Sequence, residues 1–194
     1  MTRRRLALHS AMMPAKLISA LAILAAPVLA APQWIWISNK AADGEQVTFQ
    51  HHFEVKLTPK SATLTATCDN GAEVFLNGKL LAVNPDWQMP VRADAIKHLV
   101  IGGKNHLVVK ARNKDGTAAF ILKLELERQN GTLDVIETSA KWDATPTGKE
   151  DWRPAVVIAE YGAGPWGKAL EKGPGSAPKA AVTEVVAADQ ITAA

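Results

Sequence analysis

Residues 61–81 read SATLTATCDNGAEVFLNGKLL, and this stretch decides the fold. Ala62, Leu64, Ala66 and Cys68 fall on one side of a period of two. Ser61, Thr63, Thr65, Thr67 and Asp69 fall on the other. That is the pattern of a half-buried strand, apolar toward a core and hydroxylated toward water. Asp69-Asn70-Gly71 breaks the run. A short strand over residues 73–76 then meets Asn77-Gly78, and the chain resumes over 79–83. Asn-Gly between apolar runs predicts a tight hairpin, because both residues tolerate the positive φ of a type I′ turn.

The same alternation recurs on both sides. Val47, Phe49, His51, Phe53 and Val55 alternate with Thr48, Gln50, His52 and Glu54. Leu107, Val109 and Ala111 point inward from residues 105–112. Phe120, Leu122, Leu124 and Leu126 alternate with Ile121, Lys123, Glu125 and Glu127. Asp43-Gly44, residues 113–116 and Asn130-Gly131 supply turns. Short strands at this spacing with Asn/Asp/Gly turns predict an all-β sandwich or barrel. Residues 93–100 are compatible with one helical turn ended by Gly102-Gly103, and no segment carries sustained helical periodicity. Residues 33–37, QWIWI, suit an edge strand or an anchoring segment, with Trp34 and Trp36 on one face. Trp142, Trp152, Tyr161 and Trp166 are placed to pin an irregular carboxyl-terminal segment across the sandwich.

The 194 residues carry a formal charge of +3. Arg3, Arg4, Arg5 and Lys16 lie in the first 30 residues, which hold no acid, so the remainder carries −1. A nearly neutral body lacks the basic surface a nucleic-acid partner needs. The basic start, the apolar run over 17–29 and the small residues before residue 31 predict a signal peptide over 1–30, cleaved after Ala30. The run falls short of a spanning helix, so no membrane association is expected after cleavage. The expected location is secreted or periplasmic. Residues 31–168 are read as one β-sandwich domain and residues 169–194 as a Pro/Gly/Ala-rich linker or tail. Cys68, the single cysteine, reads as a small buried hydrophobe.

The ordered series Trp34-Ile35-Trp36, Asp69-Asn70, Asn77-Gly78-Lys79, Gly103-Lys104-Asn105 and Leu107-Val108-Val109 resembles the galactose-binding-like β-sandwich. In particular it resembles the amino-terminal accessory domains of α-L-rhamnosidases and related multidomain secreted bacterial proteins. Trp152-Arg153-Pro154-Ala155, Tyr161-Gly162 and Pro165-Trp166-Gly167 resemble that group's closing strand. Its usual acidic segment before the closing tryptophan is shortened here to Lys149-Glu150-Asp151. The resemblance implies an antiparallel jelly-roll without catalysis. Such a domain binds sugar in loops at one end, or braces an adjoining catalytic domain.

A sugar site needs an aromatic face for C–H surface and planar polar groups for hydroxyls. Trp87, Asp86, Gln88 and Asn84 offer these in one proline-stiffened loop, unless Trp87 folds down as a lid on the core; Arg112 and Asn113 end a strand, either solvated there or converging on the same rim. These six are the candidate carbohydrate-binding residues. Asp69-Asn70 and Asp43 lack the oxygen density of a calcium loop and read as turn chemistry. His51 and His52 are adjacent on a strand, so their rings face opposite ways and cannot chelate together. No metal, cofactor or catalytic residue is expected. A carbohydrate and an adjoining catalytic domain are the expected partners.

Overall fold

The computed structural model describes residues 31–172, so the expected signal peptide and most of the expected tail lie outside the described residues. The strands are β1 (Gln33–Trp36), β2 (Gln46–Val55), β3 (Ser61–Asp69), β4 (Ala72–Leu76), β5 (Lys79–Asn84) and β6 (Val91–Asp94), then β7 (Gly103–Arg112), β8 (Ala119–Glu127), β9 (Leu133–Glu137), β10 (Asp143–Pro146), β11 (Arg153–Pro154) and β12 (Val156–Glu160). One sheet runs β12-β1-β8-β3-β6, with β9 also paired to β8; the other runs β11-β10-β2-β7-β4-β5. All named strand pairings are antiparallel. The helical turn expected in 93–100 is a 3₁₀ turn at Ile96–His98.

The inward sets match the expected alternation. Leu64, Ala66 and Cys68 on β3, Val47 and Phe49 on β2, Leu107 and Val109 on β7, and Phe120, Leu122 and Leu124 on β8 are all fully buried between the sheets. Asn77 and Gly78 have φ of 51° and 77°, the two positive values a type I′ hairpin needs. That turn sets the register of β4 against β5.

Three expectations fail for identifiable reasons. β1 is not an edge strand, because it lies between β12 and β8. Nor do Trp34 and Trp36 share a face. The register of β1 against β12 shifts between Trp34 and Ile35, and one extra residue at a bulge turns the rest of the strand to the other side. Ile35 and Trp36 therefore enter the main core while Trp34 enters a second cluster. The outward side of β3 is also not uniformly wet. Thr65 and Thr67 are 3 % and 0 % exposed, and Ile121 on β8 is buried too.

The closing segment, residues 161–172, covers Ile121, and the Asp86 and Trp87 carbonyls accept from the Thr67 hydroxyl at 3.2 and 3.0 Å. Trp166, Ala169 and Leu170 pack over Trp34, Ala119 and Ile121 on the outer side of the first sheet. Trp166 stacks on Trp34 at 4.7 Å between ring centroids, and its Nε1 donates to Asp69 Oδ2 at 2.9 Å. The expected pinning aromatic is thus Trp166. Trp142 instead sits in the main core, its Nε1 donating to the Glu137 carbonyl. Packing continues past residue 168 through a 3₁₀ turn at Ala169–Glu171.

Candidate carbohydrate-binding cleft

Four connections meet at one end of the sandwich. They are the β1–β2 loop with Gly44, the β3–β4 turn with Asn70, the β5–β6 loop with Pro85 and Asp86, and the β7–β8 turn with Asn113 and Lys114. Together with Gln46 and Arg112 these residues line a cleft of about 550 Å³.

The loops are tied to one another by their own backbone groups. Asn70 N–H donates to the Arg112 carbonyl, and Arg112 N–H donates back to the Gly71 carbonyl, both at 2.9 Å. Lys114 N–H donates to Asn70 Oδ1 at 2.7 Å. Gly44 N–H reaches the Lys114 carbonyl at 3.1 Å. The Arg112 guanidinium lies against Gly71, where an added Cβ would come within 3.1 Å of Nη2. Glycine there lets the guanidinium rest on the backbone at the cleft wall. Among the described residues Arg112 has no carboxylate partner. Its planar donors are therefore free for a ligand.

The six candidates separate into three groups. Asp86 and Arg112 both line the cleft, and both are exposed. Asp86 Oδ1 accepts from Gln88 N–H at 2.8 Å, which fixes the carboxylate at the loop tip and leaves Oδ2 unengaged. Gln88 is exposed but does not line the cleft.

Asn84 and Asn113 are turned inward, at 1 % and 2 % exposure. Asn84 Nδ2 donates to the carbonyls of Asp86 and Met89, and Oδ1 accepts from Cys68 N–H. Both amide hydrogens are spent, so Asn84 shapes the loop and has none to offer a sugar. Asn113 Nδ2 donates to the carbonyls of Ala42 and Gly116, stapling two loops together beneath the cleft.

Trp87 forms the third group. Its half-buried ring leans on the Trp34–Trp166–Leu170 cluster, and Lys172 Nζ sits 4.4 Å from its centroid. It does not line the cleft that Asp86 lines. Periodicity could not show this, because the loop has none. Gln46, Asn70 and Lys114 carry no signal in the sequence as cleft residues, since only the folding of four distant connections to one rim brings them together.

Asp69 borders this end. Burial raises its carboxyl above the usual carboxylate range, the Trp166 N–H works against that, and the charges of Asp86 and Asp115 add to the rise.

This is a galactose-binding-like β-sandwich with a polar, loop-built cleft at one end. In sequence it resembles an α-L-rhamnosidase of Streptomyces avermitilis, 32 % identical over 177 residues, covering 79 % of this chain and 17 % of that protein. The crystal structure of Streptomyces avermitilis α-L-rhamnosidase complexed with L-rhamnose matches 75 % of this chain and 16 % of that one, with 29 % identity and a TM-score of 0.65. The apo Pleurotus ostreatus lectin matches 72 % of this chain and 44 % of its own, with 22 % identity and a TM-score of 0.61, a likeness of fold. No protein-family model matches the chain. The chain thus spans about one-sixth of the rhamnosidase it resembles.

Proposed function

We propose that this chain is a non-catalytic, secreted carbohydrate-binding module. The observation that carries the reading is the cleft, where a free guanidinium and a fixed carboxylate share one lining beside amide groups. Arg112 donates to ring or hydroxyl oxygens, Asp86 accepts from hydroxyls, and Pro85 offers C–H surface. The resemblance to a rhamnosidase whose structure was solved with L-rhamnose, and to a lectin fold, supports a sugar as ligand.

A glycan array with the whole chain, followed by calorimetry, tests it. A single sugar held without an aromatic platform should bind at about millimolar strength, near −4 kcal/mol. Arg112→Ala should abolish that binding at unchanged unfolding midpoint. Trp87→Ala should leave binding in place and lower stability by about 1–3 kcal/mol, as expected for a packed ring.

A second reading is favoured by the position of Trp87 and by the small share of the relative that the chain spans. The domain then binds no ligand and braces a larger secreted enzyme, a glycoside hydrolase or a sugar-dehydrogenase or haem-domain protein. No glycan retained on the array would establish that reading over the first. Secretion rests on the leader pattern alone. Amino-terminal sequencing of exported protein should begin at Ala31, and an intact leader on soluble protein would overturn it.

A further inference from the structure

The outer face of the second sheet carries a pair of histidines that the sequence keeps 54 positions apart. β2 and β7 run antiparallel with His52 directly opposite His106. Their rings are parallel within 5°, with centroids 4.1 Å apart. His51, the sequence neighbour, faces the other way and stacks on Trp142. His106 Nε2 lies 3.2 Å from Gln50 Oε1, which stands on the same face two residues before His52. With the proton on Nε2, that bond leaves the Nδ1 lone pair of His106 free. Glu54 and Lys104 oppose each other one step along the same face.

The geometry points to a transition-metal site at His52 and His106, suited to Zn²⁺, Ni²⁺ or Cu²⁺. Directly opposed residues on antiparallel strands hold their Cβ atoms about 4.5–5.5 Å apart, which lets two imidazoles reach one ion. The parallel rings must turn toward each other to aim both lone pairs at a common point. The broad torsion at χ2 makes that turn cheap. Imidazole nitrogen selects these borderline ions over Mg²⁺ and Ca²⁺, which prefer oxygen. The flexible Gln50 side chain follows Nε2 of His106 as the ring turns and holds its tautomer as the outer partner. Among the described residues no third His, Cys, Asp or Glu joins the pair, so water or an incoming ligand fills the other positions. The site is separate from the loop-end cleft and does not depend on its function.

The test is titration of the whole chain, without a polyhistidine tag, with Zn²⁺ alone at pH 7.5. Heat and histidine proton resonances are both followed. One Zn²⁺ should bind per chain, with shifts confined to His52 and His106. His52→Ala and His106→Ala should each weaken binding at least tenfold, since even loss of an outer-shell partner costs about 10–100-fold. His98→Ala should leave it unchanged. Zn²⁺ should raise the unfolding midpoint of the parent and Mg²⁺ should not. Absence of binding up to millimolar Zn²⁺ would overturn the site. So would binding that survives both substitutions.

Discussion

Trp166→Ala should destabilise the protein by about 3–5 kcal/mol, the cost of truncating a buried tryptophan. Trp166 is 2 % exposed and does two things at once. Its ring covers Trp34, and its N–H neutralises part of the cost of burying the Asp69 carboxylate. Without it, the closing segment keeps only Ala169 and Leu170 as buried anchors. Trp34, Ala119 and Ile121 would then meet water on the outer side of the first sheet. Denaturant midpoints measure the loss, and hydrogen exchange should show opening confined at first to residues 161–172. An unchanged midpoint would mean that the second cluster contributes nothing to the fold.

Trp166→Phe separates the two roles. The ring remains, and the bond to Asp69 goes. Asp69 already titrates above its unfolded value, so the folded state holds its proton more tightly than the unfolded chain does. Stability from this group is therefore present at low pH and is lost as pH rises from the unfolded value through the folded one. The Trp166 N–H opposes that loss. Trp166→Phe should enlarge the fall, widening its window upward in pH, and a stability–pH curve would read it.

What the sequence makes legible is what period and turn chemistry control. The inward faces of β3 and β8 follow from alternation, and the Asn77-Gly78 hairpin follows from residues that accept positive φ. Other features depend on distant partners. Thr65 and Thr67 alternate as surface residues, yet the Thr67 hydroxyl is capped by the Asp86 and Trp87 carbonyls of the β5–β6 loop. Trp34 and Trp36 part company because a bulge breaks the period at the residue between them. For His52 and His106, alternation places each ring outward. Only the pairing of β2 with β7 and its register bring them face to face. The cleft is the extreme case. Composition alone nominates Asp86 and Arg112, yet their meeting with Asn70 and Lys114 is a product of topology.

Asn84→Ala should cost about 2–5 kcal/mol and should weaken sugar binding as a consequence of that loss. Asn84 is 1 % exposed at the end of β5, where the chain leaves the sheet for the Pro85–Pro90 loop. Its Oδ1 receives Cys68 N–H at 2.8 Å, and its Nδ2 donates to Asp86 and Met89 carbonyls at 2.9 and 2.8 Å. One amide thus ties the loop's start, its end and strand β3 together. Alanine leaves the buried Cys68 N–H without this partner, at about 1–3 kcal/mol, and removes the part-buried bond to the Met89 carbonyl, worth about 0.5–1.5 kcal/mol. The Asp86 carbonyl retains the Thr67 hydroxyl as an alternative donor, 3.2 Å away. With its brace gone the loop should loosen. Asp86 then leaves its place in the cleft beside Arg112, and Trp87 lifts from the closing segment. Urea midpoints and hydrogen exchange over residues 84–90 measure this, with Arg112→Ala as the comparison that loses binding alone. A variant of Asn84 that kept its full stability while losing all affinity would return this side chain to direct contact with the sugar.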